Sequence, residues 1–93
     1  MSVVILGGNE CMVRQYKDLC REFQCSAKVI SKMGGTLKNR LGSPDLLVMF
    51  TDTLSHKMMR CALSETKGQK LTIARSKSSS MAALRNILET HAS

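Results

Sequence analysis

Residues 3–10 read VVILGGNE. A run that is apolar at every position, rather than at alternate ones, has to be buried on both faces, as in a central strand of a parallel sheet. The glycine pair ends the strand. Asn9 is suited to cap a following helix, with Glu10 in its electropositive first turn. Met12, Val13, Tyr16, Leu19, Cys20 and Phe23 then recur at helical spacing, so one face of that helix packs on the sheet.

Five apolar residues, Leu46-Leu47-Val48-Met49-Phe50, make a second strand of the same kind. Between the two, Ala27 to Ile30 reads as a strand that runs out near Lys32 and a turn at Gly34-Gly35. Residues 36–41 read as one short helical turn, and Gly42-Ser43-Pro44-Asp45 as a break. Further on, a helix is expected from Thr53–Ser55 to Gly68, with Lys67 in its last turn. A fourth strand follows from Leu71 to Ala74. Ser78-Ser79-Ser80 then caps a final helix whose buried stripe is Met81, Leu84, Ile87 and Leu88. Strand and helix alternate throughout, the pattern of βαβ units. Right-handed crossovers predict an α/β fold: an open parallel four-stranded sheet in the order 2-1-3-4, with helices on both faces and residues 1–93 forming one domain. The wholly apolar strands then fall in the middle of the sheet and the mixed ones at its edges.

A chain of 93 residues builds a core of modest size. Its aromatics are Tyr16, Phe23 and Phe50 alone, against seven methionines. A methionine-rich core packs adaptably, and an edge strand with apolar residues is usually paired or covered. Together these point to a homodimer or larger oligomer. The formal charge of +7 draws in anions, whether nucleotides, nucleic acid or acidic partners. No apolar run approaches a membrane span or a signal peptide. Cys11, Cys20, Cys25 and Cys61 have neither CxxC nor zinc-knuckle spacing, so they read as reduced thiols of a cytoplasmic protein. Cys20, Cys25 and Cys61 look like small core residues. Cys11, in the first turn of a helix, has no histidine or resolving cysteine near it in sequence.

Several stretches carry a resemblance: the opening VVILGGNE, MVRQYKDL (12–19), GSPDLL (42–47), SHKMMRCALSE (55–65) and SSSMAAL (78–84). They resemble a bacterial family of small proteins known as domain of unknown function 2325, over nearly the whole chain. The resemblance implies a Rossmann-like or flavodoxin-like α/β domain in the bacterial cytoplasm and assigns no catalytic residue. Cys11 departs from the family pattern, which more often has a basic residue there.

In an open parallel sheet a ligand lies beyond the carboxyl ends of the strands, at the switch point between crossovers to opposite faces. Here that point falls between the first and third strands. The loops there bring Gly8 and Asn9, then Thr51, Thr53, Ser55 and His56, and from the fourth strand Lys77, Ser78, Ser79 and Ser80. Small hydroxyl and amide groups leading into helix N-termini favour a phosphate or carboxylate. The same residues also serve as ordinary caps and turns. A dinucleotide is disfavoured, because there is no GxGxxG and the second strand does not end on an acidic ribose ligand. P-loop motifs are missing as well.

The leading reading is a small binding module for an anionic ligand, a nucleotide or phosphorylated metabolite. One alternative is a metal or haem site using His56, whose imidazole sits at a predicted helix start. Another is nucleic-acid binding, suggested by charge but lacking stacking aromatics. An enzyme is the weakest reading: Asp52, Ser55 and His56 are too close in the chain for the usual triad.

Overall fold

The computed structural model describes residues 1–30, 42 and 44–91. β1 (Ser2–Leu6) runs through Gly7 and Gly8 into a 3-10 turn (Glu10–Met12) and then α1 (Val13–Glu22). β2 (Ser26–Ile30), β3 (Leu46–Phe50), α2 (His56–Glu65), β4 (Thr72–Ser76) and α3 (Met81–His91) follow. The sheet order is β2-β1-β3-β4 and every pairing is parallel. Val3 stands opposite Ala27 on one side and Leu46 on the other. The α/β architecture expected from the alternating pattern is therefore the architecture found.

Burial explains the order. All five residues of β3 are buried, and so is β1 from Val3 to Leu6. In the edge strands only Ile30 of β2 and Ala74 of β4 are. Alternate residues of the central strands feed two separate cores. Val3, Ile5, Val48 and Phe50 meet Tyr16, Leu19 and Cys20 of α1 and Leu84 and Leu88 of α3. Val4, Leu6, Leu47 and Met49 meet Met58 and Ala62 of α2 on the opposite face. Each large side chain buried this way stabilises the fold by about 1.5–3 kcal/mol relative to exposure. So α1 and α3 form one layer, and α2 lies on the other face.

The element ends differ from the expected ones for local reasons. Asn9 has an extended backbone and its Oδ1 accepts the N–H of Cys11, two residues on. This tight Asx turn makes a 3-10 segment first, and the α-helix starts only at Val13. At the other end of α2, Thr66 is buried, and its Oγ1 donates to the carbonyl of Ala62 at 2.8 Å. That hydroxyl closes the helix after Glu65, which leaves Lys67 beyond its last turn. β4 begins at Thr72 and continues to Ser76, later than the sequence pattern implied. The extension of the second strand to Lys32, the Gly34-Gly35 turn and the helical turn over 36–41 lie outside the described residues, as does Ser43. Among the described residues no helix is long and apolar enough to cross a membrane.

Candidate functional site

β1 and β3 are neighbours, yet the chain leaves β1 for α1 on one face and β3 for α2 on the other. Their carboxyl ends therefore part to opposite sides, which is the switch point of the sheet. Gly7 and Gly8 form the turn there, with φ of +84° and +91°. Space as well as conformation demands glycine. A Cβ on Gly7 would lie 2.9 Å from Thr53 Oγ1, and one on Gly8 2.9 Å from the Tyr16 ring.

The crowding comes from hydrogen bonds that stitch the loops together. The N–H of Gly8 donates to Thr53 Oγ1 at 2.6 Å, and Thr53 Oγ1 donates in turn to the carbonyl of Phe50 at 3.3 Å. The N–H of Asn9 donates to the hydroxyl of Tyr16 at 3.2 Å. That hydroxyl, carried by a wholly buried ring, donates to the carbonyl of Ser79 at 2.5 Å. Asp52, from the loop after β3, accepts both the N–H and the Oγ–H of Ser79, at 3.3 and 3.1 Å. Three loops distant in sequence thus meet at one place.

The remaining candidates have local partners. Thr51 Oγ1 donates to the carbonyl of Ser76 at 3.1 Å and zips the ends of β3 and β4. Ser78 exchanges bonds with Ser76, and its Oγ accepts the N–H of Ser80 at 3.3 Å. Ser80 caps α3, its Oγ accepting the N–H of Ala83 at 3.2 Å. Ser55 caps α2 through the N–H of Met58 at 3.2 Å. His56 opens α2 with its side chain exposed, and Lys77 is exposed on the loop after β4. The structure thus joins Gly8 to Thr53 directly, and Asn9 to Ser79 through Tyr16. Ser55 and His56 belong to the helix of the opposite layer.

Two residues at this junction, Tyr16 and Asp52, are not among the ligand-binding residues expected from the sequence. Tyr16 had a signal: a lone tyrosine on the buried stripe of a helix needs a partner for its hydroxyl. Asp52 had none beyond its position in the loop.

The amides of Gly8, Asn9, Ser79 and Ser80 are all engaged within the chain. A cleft of about 250 Å³ opens instead at the amino ends of β1 and β2, beside Gly42 and Pro44. Among the described residues no group of three or more His, Cys, Asp or Glu side chains could hold a metal ion. Cys11 is exposed on the 3-10 turn, Cys61 is half-buried against the α2 core, and Cys20 and Cys25 are buried.

A family model described as "Uncharacterized protein conserved in bacteria (DUF2325)" matches residues 2–91. No curated protein and no solved structure matches the chain.

Proposed function

We propose a function for this chain, which belongs to the bacterial family domain of unknown function 2325: it is a small binding module that takes an anionic ligand, a nucleotide or phosphorylated metabolite, at the carboxyl edge of its sheet. Gly8, Asn9, Thr51, Thr53, Ser55, His56, Lys77 and Ser78 to Ser80 are the residues offered to that ligand.

One observation carries the reading. The carboxylate of Asp52 rests on the N–H and the hydroxyl of Ser79, just ahead of α3. An N–H and an O–H converging on one oxyanion beside a helix start are the donors that a phosphate oxygen uses. The chain's own carboxylate occupies them at rest. An incoming phosphate binds by displacing Asp52, with the net charge of +7 favouring its approach. Lys77 is exposed two residues from Ser79 and supplies a mobile counter-charge. No reaction is part of this reading.

The test is a thermal-shift titration with inorganic phosphate, nucleoside mono-, di- and triphosphates, and sugar phosphates. A ligand at 100 times its Kd stabilises the folded form by about 2.7 kcal/mol. For a chain of this size that raises Tm by roughly 10–20 °C. His56→Ala keeps part of the shift if the ligand is an anion and abolishes binding if the ligand is a metal or haem. Absence of any shift with all of these anions overturns the proposal.

A further inference from the structure

The C-terminus of α1 holds two cysteines in a defined cap. The N–H of Cys25 donates to the carbonyl of Cys20 at 2.9 Å, and the N–H of Gln24 to the carbonyl of Arg21 at 2.9 Å. Gln24 between them has φ +59°. These paired bonds around a left-handed residue define a Schellman motif; in it the third residue from the helix end and the second residue past the C-cap, here Phe23, commonly bring their side chains together. Cys20 and Cys25 occupy those two positions. Both are buried, at 0% and 6% exposure.

Bond lengths bound their separation. From Cα to carbonyl oxygen is about 2.4 Å and from N to Cα about 1.46 Å. With the observed N···O distance of 2.9 Å, the two Cα atoms lie no more than about 6.8 Å apart. Disulfides span Cα separations of about 4.4–6.8 Å.

We propose that Cys20 and Cys25 are a reversible disulfide site, reduced at rest and closed by a hydroperoxide or a small-molecule disulfide. The pair favours a neutral product. Burial, with Cys25 as a close neighbour, pushes the Cys20 thiol up to about 11 from 9.0. The negative end of the α1 dipole disfavours anions at the same place. A metal bridged by two thiolates would bury negative charge there, whereas a disulfide buries none. With a hydroperoxide, the sulfur of Cys25, the less buried of the two, attacks the peroxide O–O bond. It becomes a sulfenic acid while water (or an alcohol) leaves. The Cys20 sulfur then attacks the sulfenic sulfur, giving up its proton to the departing hydroxide as it does so; the S–S bond forms and a second water leaves. Two thiols are oxidised and one peroxide is reduced. With a small disulfide, Cys25 first forms a mixed disulfide and releases one thiol; Cys20 then displaces the second.

The chain carries its own assay. Trypsin cuts after Lys17, Arg21 and Lys28, so Cys20 and Cys25 fall in separate peptides, 18–21 and 22–28. The folded protein is treated with stoichiometric hydrogen peroxide, or with oxidised glutathione, then alkylated, digested without reductant and weighed by mass spectrometry. The expected product is the two peptides joined, about 2 Da lighter than their reduced sum and separated again by dithiothreitol. Two of the four thiols disappear, and no disulfide-linked dimer forms on a denaturing, non-reducing gel. The same link forms in a Cys11→Ser, Cys61→Ser variant and is lost in Cys25→Ser. Recovery of both peptides unlinked after treatment with either oxidant, or of Cys20 or Cys25 joined to Cys11 or Cys61 instead, overturns the proposal.

Discussion

The hydroxyl of Tyr16 donates to the carbonyl oxygen of Ser79 at 2.5 Å while accepting the N–H of Asn9 at 3.2 Å. One buried phenol thus ties α1 and the loop after β1 to the chain just ahead of α3. Its ring packs against Phe50 with centroids 5.4 Å apart and planes tilted by 38°.

Tyr16→Phe keeps the ring and removes both bonds, leaving the Asn9 N–H and the Ser79 carbonyl short of a partner. The expected loss is about 1–3 kcal/mol of unfolding free energy, measured by urea denaturation. A variant as stable as the parent would mean that these bonds contribute nothing net.

Gly8→Ala and Gly68→Ala separate conformation from space. Both glycines have positive φ, at +91° and +88°, but only Gly8 has neighbours where a Cβ would sit. Gly68→Ala should cost about 1 kcal/mol for the left-handed backbone alone. Gly8→Ala should cost clearly more, because Tyr16 and Phe50 have to move. Equal losses on denaturation would show that the turn yields without resistance.

The Cys20 thiol gives stability a pH dependence with a definite sign. Folding raises its pKa from 9.0 to about 11. Above pH 9.0 the unfolded chain releases that proton while the folded chain keeps it. The contribution is fully present below pH 9.0 and is lost progressively up to about pH 11. Cys20→Ala lowers stability at neutral pH through its cavity, but the variant should lose less than the parent between those two pH values. Parallel stability curves for the two proteins would contradict this.

β4 is an edge strand, and Ile73 on it is 39% exposed. Self-association through that edge is expected, since the outer edge of a strand carrying an exposed apolar side chain is a template for pairing. Sedimentation equilibrium should show a dimer or larger at micromolar concentration, weakened by Ile73→Lys. A monomer throughout the accessible range would remove the edge as an interface.

The sheet was legible in the sequence because its decisive signals are local. Val3 to Leu6 and Leu46 to Phe50 are apolar at every position, which is enough to put β1 and β3 side by side in the middle. The glycine pair and Asn9 mark the turn between β1 and α1 for the same reason. The junction at the carboxyl edge was legible only in its ingredients. Asp52 and Ser79 are 27 residues apart, and Tyr16 and Ser79 are 63 apart. No spacing rule links such residues until the fold brings them together. Serine and glycine in those loops announce turns and caps whether or not a ligand also uses them. The shift in β4 has a similar origin. Arg75 and Ser76 look like loop residues, yet they pair with Met49 and Phe50.

The proposed anion site requires Asp52 to stand where the ligand's oxyanion goes, and calorimetric titration of the parent and Asp52→Ala proteins tests this most directly. Removing the carboxylate frees the N–H and the hydroxyl of Ser79 and takes a negative charge away from the site. With inorganic phosphate, and with whichever nucleotide the parent binds best, the variant should bind more tightly, on the order of tenfold or about 1.4 kcal/mol. A further Ser79→Ala change should reverse most of that gain. Equal or weaker binding by Asp52→Ala, or no heat from either protein at millimolar phosphate or nucleotide, would contradict an anion site at this edge of the sheet.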